Sequence, residues 1–487
     1  MSAHPLNSFF LGLYRGVWKA ATPLLRRHKR LGEGFDERLV PDDWPHAGGI
    51  GDNLPAYEDA SAVRIWVQAA SGGEAGLVHA LVPALGACLA GQPEFAGCSL
   101  HLLCSTCTRQ GMDVLRQIDS SASPFPLHIY PRYFPLDSPP LMAKALRQAE
   151  VQAIILLETE LWPGLMAEAR RAGTPVLVLN GRMTEKSASR YALLRPFFRS
   201  VAPEGVLAIS DADAARFAGI FGRPERIAVM PNIKFDRLSA APGLGAATDS
   251  RRENGMNEGD LLAVLASVRE EEEEMLLSVV RDLFRRRCGG SEISLAVAPR
   301  HMHRLEAWQS GLSAAGISWR LRSRCREGGS GCLDARAGGP SVLLWDTFGD
   351  LPTLYAMGDA VFVGGSLVPL GGQNFLEPAA LGLVPVTGRH IFNFLWVGED
   401  FFTCGLGLRV ENDALTAALL GQLEARAATL QGAATTEERQ HIRRAEAEKG
   451  RERFLAWLAP RLGGSARATD AIVSVLLERR KSLAKPC

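Results

Sequence analysis

Short apolar runs alternate with segments of helical period along most of this 487-residue chain, and the alternation begins twice. In the first series the strand-like runs are Val63–Gln68, Leu100–Cys104, Ala153–Leu157, Pro175–Leu179 and Val206–Ile209. Between them, Glu74–Leu89, Pro140–Ala149, Leu161–Ala172 and Glu185–Phe198 carry apolar residues at helical spacing. Continuous apolar runs separated by amphipathic helices imply parallel strands covered on both faces by crossover helices. The second series has runs at Leu261–Ala266, Ser294–Ala298, Val342–Leu344, Ala360–Val363 and Val384–Val386. Its helical patterns are Glu271–Arg287, His303–Ala314 and Leu351–Met357, and after Asn412 the chain reads as helix to Leu483. Leu238–Gly259 lacks periodicity and reads as a linker, and Arg324–Gly339 reads as an exposed loop.

The expected architecture is therefore α/β, with two Rossmann-like doubly wound domains facing across a cleft and a C-terminal helical segment crossing back. The expected divisions are an N-terminal membrane-associating segment over 1–35, a first Rossmann-like domain over 36–210, a second over 211–435 and the returning helices over 436–487. The N-terminal assignment rests on Ser8–Leu25, where Phe9, Phe10, Leu11, Leu13, Tyr14, Val17 and Trp18 crowd together around Arg15 and Lys19. Arg26, Arg27, His28, Lys29 and Arg30 follow at once. The segment is too short and charged for a confident span, but aromatics beside a basic cluster suit a helix lying in the interface of an anionic bilayer. The alternative is a helix packed against the N-terminal domain.

Composition adds mainly exclusions. A net charge of +1 gives no global pull towards nucleic acid, and nine thinly spread cysteines form no disulfide framework. Cys104 and Cys107 have C-x-x-C spacing but no second pair, and read as ordinary small residues. No cluster of His, Cys, Asp or Glu has metal-ligand spacing, so neither metal nor cofactor is expected.

Candidate chemistry lies just past the ends of the strands. Ser71-Gly72-Gly73-Glu74 presents a carboxylate in the first turn of a helix, where it serves as a general base or simply as half of a capping box. Glu158-Thr159-Glu160-Leu161-Trp162-Pro163 places two acids before a helix opened by proline. Arg182 and Lys186 in Asn180–Ser187 suit a carboxylate or phosphate. In the second series, Arg300 and His301 hold the matching position after a strand. The stretch Gly364–Pro378, with Gly371, Gly372, Gln373, Asn374 and Glu377, is a glycine-rich turn leading to an expected helix over Asn374–Gly382. Free backbone N–H groups at such a turn would receive an anion.

Taken in order, these segments resemble the 3-deoxy-D-manno-octulosonate (Kdo) transferases that attach Kdo to lipid A. The resemblance is completed by Asn232-Ile233-Lys234-Phe235-Asp236, Pro299-Arg300-His301 and Asp346-Thr347-Phe348-Gly349-Asp350-Leu351, and runs from about Tyr14 to about Phe394. It implies a GT-B fold and an inverting, metal-independent transfer from CMP-Kdo to the glucosamine disaccharide of a lipid A precursor. It places the enzyme at the cytoplasmic face of the inner membrane. By the resemblance Glu74 is the base, and Glu158 and Glu160 hold the acceptor or stabilise charge on the sugar. Ser71, Arg182, Lys186 and Lys234 are candidates for the acceptor or the Kdo carboxylate. Ser267, Arg300, His301 and Gly371–Asn374 bind the nucleotide, with Glu377 on its ribose. The chain departs from the family pattern at Gln68 and Gln373, where histidine is usual, at Gly73 and Pro231, and at Ser267-Val268-Arg269-Glu270. Two rival readings remain: a related enzyme using a UDP-sugar, and an inactive scaffold of envelope assembly.

Overall fold

A computed structural model describes residues 5–28, 31–45, 62–239, 251, 256, 258–324, 342–347 and 349–483. Most of Leu238–Gly259 and Arg324–Gly339, together with Lys29, Arg30 and Phe348, lies outside the described residues. The chain forms two compact units, Met1–Arg237 with Arg461–Cys487, and Leu238–Pro460.

The first unit opens with α1 (Pro5–Leu25) and α2 (Phe35–Arg38). Then come β1 (Val63–Gln68), α3 (Gly72–Ala90), β2 (Leu100–Thr106), α4 (Arg109–Arg116), β3 (Leu127–Tyr133), α5 (Pro139–Ala149), β4 (Ala153–Leu157) and α6 (Pro163–Ala172). They are followed by β5 (Val176–Gly181), α7 (Glu185–Ala192), α8 (Arg195–Ser200), β6 (Gly205–Ala208), α9 (Asp211–Phe221), β7 (Ile227–Val229) and α10 (Ile233–Ser239). The seven strands form a parallel sheet in the order β3-β2-β1-β4-β5-β6-β7. Alternate residues serve opposite faces, as strand geometry demands. Val63, Ile65 and Val67 face one core layer with Ile155 and Leu157, whereas Trp66 faces the other with Ile154 and Leu156.

The expected helix Glu185–Phe198 is broken into α7 and α8, because Pro196 in the first turn of α8 has no N–H to continue the first helix. Strand β3 had no counterpart in the sequence pattern. Pro131 and Arg132 interrupt its apolar run, and proline is tolerated there because β3 is an edge strand. The division expected at 210 lies instead at Arg237, since β6 pairs with β7 and extends the first sheet.

The second unit contains β8 (Leu261–Val268), α11 (Glu273–Phe284), β9 (Arg287–Cys288), β10 (Ser291–Pro299), α12 (Leu305–Ala314), β11 (Trp319–Leu321), β12 (Val342–Leu344), α13 (Leu351–Met357) and β13 (Ala360–Val363). It continues with α14 (Leu376–Ala380), β14 (Val386–Thr387), α15 (Asp400–Thr403), β15 (Leu408–Arg409), α16 (Leu415–Leu430) and α17 (Thr436–Leu458). The parallel order is β11-β12-β10-β8-β13-β14-β15, with β9 antiparallel on β10. The returning helices divide. Arg443 of α17 bonds to Asp359 in the second unit, while α18 (Gly464–Leu483) buries Ala468, Ile472, Val473 and Leu476 in the first unit's core beside α3. At the N-terminal edge of the second sheet, Asp359 is enclosed by Arg251 (3.6 Å), Arg426 (3.2 Å) and Arg443, and accepts Leu262 N–H at 2.9 Å. The arginines outweigh burial and hold this carboxyl below its usual range.

Helix α1 has two kinds of apolar side chain. Phe10 packs on Phe197 with ring centroids 4.7 Å apart, and Tyr14 OH donates to Asp137 Oδ2 at 2.8 Å. Phe9, Leu13, Val17 and Leu24 are exposed. Among the described residues, α3 is the helix long and apolar enough to cross a membrane, but Leu77, Leu81 and Leu85 pack it into the core.

Candidate active site

Ligands of doubly wound sheets bind at the carboxyl ends of strands where the chain reverses direction across the sheet. In the first unit that point lies between β1 and β4, where Gln68 is in register with Leu156 on one side and Ser105 of β2 on the other. The loops carrying Glu74 and Glu158–Glu160 therefore leave the same edge at the same level.

Glu74 lies in the first turn of α3, as the cap reading expects. Ser71 is the N-cap of α3, and Glu74 Oε2 accepts Ala70 N–H at 2.5 Å while Ser71 Oγ donates to Oε1 at 3.3 Å. These bonds and Lys234 favour the anion. Burial first, and the neighbouring Glu158 second, override them and push the carboxyl up to about 7. The cap thus orients a carboxylate whose basicity is set by its surroundings.

Glu158 and Asn180, just past β4 and at the end of β5, occupy the left-handed region with φ of 58° and 55°. For residues with a Cβ this costs about 1 kcal/mol or more each, and such strain gathers at functional sites. The strained backbone aims the side chains at α10. Asn180 Oδ1 accepts Ile233 N–H at 2.9 Å, and Lys234 Nζ contacts Glu158 Oε1 at 2.5 Å. Lys234 therefore joins the acids that the sequence pattern left far apart.

Glu160 completes the group. Burial first, and Glu74 second, push its carboxyl up to about 8. Its Oε2 is buried without a hydrogen-bond partner, and Trp162 Nε1 lies close to the carboxyl without bonding geometry. Thr159 Oγ1 bonds Arg182 O, tying this loop to the one after β5. Arg182 is half-buried and Lys186 exposed, and neither forms an ion pair among the described residues. Neither contacts the Glu74 group in the way Lys234 does. Cys104 and Cys107 are unbridged, and burial pushes both thiols up to about 12.

In the second unit the equivalent reversal lies between β8 and β13. Ser267, one residue before the end of β8, has φ 54°, and its side chain lies near the Tyr355 hydroxyl. Arg300 N–H bonds Val268 O at 2.8 Å, which draws the end of β10 to that of β8. His301 is held below its usual range by burial and then by Arg269 and Arg300, so three cationic or polar side chains gather at this edge. Arg269 Nε is buried without a hydrogen bond.

The glycine-rich stretch differs from the expected open cradle. Glu272 already occupies its first turn, accepting Gly365 N–H at 2.6 Å through Oε2 and the N–H groups of Ser366 and Leu367 at 2.9 Å through Oε1. Gly372 and Gln373 direct their N–H groups to Gly365 O and Gly364 O. The expected helix is shortened to the five residues of α14. Gly371 (φ 96°) and Gly372 (φ 83°) serve the turn itself. Chemistry here falls to side chains: Asn374 Nδ2 donates to Glu377 Oε1 at 2.8 Å, and its Oδ1 accepts Leu376 N–H.

Several residues of the two sites carried no sequence signal. Asp137, whose oxygens accept Gly164 and Leu165 N–H at 2.8 and 2.7 Å, fixes the start of α6 behind Glu160. Glu272 stood in a run of glutamates resembling a helix surface. Among the described residues, no group of three or more His, Cys, Asp or Glu is arranged to hold a metal ion.

Known proteins resemble this chain in sequence and in fold. Residues 33–237 match the family model described as 3-deoxy-D-manno-octulosonic-acid transferase (kdotransferase). The chain is 30% identical over 421 residues to the 3-deoxy-D-manno-octulosonic acid transferase of Bordetella pertussis, covering 83% of this chain and 89% of that one. It is 27% identical over 373 residues to the enzyme of the same name from Chlamydophila psittaci, covering 75% and 79%. A glycosyltransferase from Rickettsia africae shares the fold, with a TM-score of 0.50 at 11% identity over 85% of this chain and 99% of that one. With two doubly wound units of the GT-B type and these relatives along most of its length, the chain belongs to the 3-deoxy-D-manno-octulosonic acid transferase family of glycosyltransferases.

Proposed function

We propose that the protein transfers Kdo from CMP-Kdo to a hydroxyl of the glucosamine disaccharide of a lipid A precursor, with inversion, without a metal ion, and with Glu74 as general base. The observation that carries this reading is the Glu74 carboxyl itself, oriented by Ala70 N–H and brought near neutrality by burial. Such a group is half ionised near pH 7, where a base works best. It takes the proton of the acceptor hydroxyl as that oxygen bonds to the anomeric carbon of Kdo. The bond from that carbon to the phosphate oxygen breaks, and CMP leaves as an anion. Arg300 and Arg269 supply fixed positive charge for that anion, with His301 beside them as a neutral hydrogen-bonding group. Lys234 holds Glu158 in place, while Arg182 and Lys186 remain candidates for the Kdo carboxylate or an acceptor phosphate. Asn374 and Glu377, already bonded to each other, suit the ribose hydroxyls.

The same reading seats α1 on the cytoplasmic face of the inner membrane. Exposed Phe9, Leu13, Val17 and Leu24 and the neighbouring Arg15, Lys19, Arg26 and Arg27 support it, because apolar area and basic charge add in binding anionic lipid.

Mass spectrometry of a tetra-acylated lipid A precursor after incubation with the protein and CMP-Kdo tests the proposal. Kdo-sized increments that survive EDTA and vanish in Glu74→Gln are expected. Folded protein that binds CMP but yields no increment would require a different acceptor, and absence of CMP binding would sink the donor assignment.

A further inference from the structure

Gln68 is buried at the end of β1, near Glu160, and belongs to a hydrogen-bond chain that the proposed reaction does not use. In the β1–β2 register Gln68 lies opposite Ser105, and Trp66 lies opposite Leu103. Trp66 and Gln68, two residues apart, share a face of the sheet, so Ser105 is opposite one and diagonal to the other. Trp66 Nε1 donates to Ser105 Oγ at 2.6 Å, and Ser105 Oγ in turn donates to Gln68 Oε1. An indole N–H only donates, so the direction of the chain is fixed: Ser105 receives one hydrogen and must send its own onward. The acceptor end of the Gln68 amide is thereby committed to Ser105. Its Nε2 faces the other way, donating to Cys107 Sγ at 3.7 Å, and lies close to the Glu160 carboxyl without bonding geometry.

We propose that Gln68 is a positioning residue for the transfer, its amide locked by the Trp66–Ser105 chain so that N–H is always presented to Glu160. A flipped amide would leave the Ser105 hydroxyl hydrogen buried without an acceptor. The donor holds the Glu160 carboxyl in a fixed orientation beside Glu74 and favours its ionised form. Glutamine does this without titrating, so the orientation is the same at every pH.

The groups facing Glu160 are Glu74 from α3, Glu158 in its own loop, Cys107 after β2 and Tyr191 from α7, with Lys234 from α10 acting on Glu74. Burial pushes Tyr191 up and Cys107 to about 12, which keeps both neutral across the working range. The two carboxyls, pushed up to about 7 and about 8, therefore titrate as a pair, in a lower and an upper step. Removing the amide donor withdraws support from the ionised form of Glu160 alone.

The test is the pH dependence of kcat/KM between about 5.5 and 9.5 for the full-length protein, Gln68→Leu, Ser105→Ala and the double variant. The upper step should move upward by about 0.5–1 pH unit in each single variant, with the lower step in place. The double variant should move no further than Gln68→Leu, because both changes break one chain. CMP affinity, measured by calorimetry, should stay within about twofold in all of them. Ser105→Ala deletes one buried oxygen, so it answers the question even if Gln68→Leu does not fold. An upper step that is missing from the parent, or that superimposes on the parent's in folded Ser105→Ala, overturns the inference whatever happens to kcat. The inference rests on the reading of Glu74 as base, and the two fail differently. A Glu74→Gln variant with full activity sinks that reading, whereas an inactive one with unshifted profiles in Ser105→Ala and Gln68→Leu sinks only the relay.

Discussion

Replacing Tyr14 by phenylalanine removes a single oxygen from the seat of α1 and leaves the ring packing against Phe10 intact. That oxygen donates to Asp137 Oδ2 at 2.8 Å, and the Asp137 carboxyl is wholly buried, so burial pushes it up to about 7 despite its hydrogen bonds. Burial also pushes the Tyr14 hydroxyl far up, so it remains a donor throughout. Well above pH 7 the bond goes to a buried carboxylate and is worth about 1.5–3 kcal/mol; well below, it goes to a neutral acid and is worth about 0.5–1.5 kcal/mol. The sign follows from linkage. The folded value lies above the ordinary value of 3.8, so the stability associated with Asp137 is complete below about pH 4 and is lost as pH rises through 7. Deleting a donor that favours the anion raises the folded value further, by roughly 0.7 unit per kcal/mol, and deepens that loss. Because α1 is attached along one side only, its opening is local. Hydrogen exchange of its amides should accelerate about 10–100-fold at pH 8.5, corrected for the intrinsic rate, and only about 2–10-fold at pH 5.5. Equal effects at the two pH values, or a larger effect in acid, would refute the reasoning.

Three further outcomes are expected. For the parent enzyme kcat/KM should rise tenfold per pH unit up to a lower step near 7, the value to which burial brings Glu74, and Glu74→Gln should lower kcat by about 10²–10⁴; initial-rate profiles check both, and a lower step near the ordinary 4.5 would contradict the burial argument. Arg443→Met should destabilise the second unit in urea by up to about 3–5 kcal/mol, since it uncovers buried Asp359 while Arg251 and Arg426 remain. The folded value of Asp359 is depressed, so its contribution is present above about pH 4 and lost in acid, and the penalty of the variant should shrink there. Glu272→Ala should cost about 3 kcal/mol or more by leaving three loop N–H groups without an acceptor, and should lower CMP affinity at least tenfold in calorimetry.

The sheets were readable wherever strands are buried on both faces, because such strands are almost continuously apolar: β1, β4 and β8 stand out at once. Edge strands were not, since one solvent-facing side lets in residues such as Pro131 and Arg132 in β3 or a run as short as β7. The acids of the first site were readable as loop residues just past strands. Their assembly was not, because Lys234 reaches Glu158 only through the fold, with Asn180 holding the start of α10. The glycine-rich loop misled for a related reason. Its flexibility is visible in the sequence, but the carboxylate that fills it comes from Glu272, nearly a hundred residues earlier. Hydrogen-bond partners of this kind follow three-dimensional proximity and leave no local period or spacing.

The placement of α18 imposes an order on the birth of the molecule. Helix α3 is complete by Ala90, yet Ile472, Val473 and Leu476, which cover part of the core around it, emerge from the ribosome about 380 residues later. At about 5–20 residues per second the interval is some tens of seconds, during which the second unit is synthesised in full. For that time an α3 apolar enough to enter a bilayer lacks part of its cover. The first unit is thus the first to begin folding and the last to finish, its core closed only when the returning helix arrives.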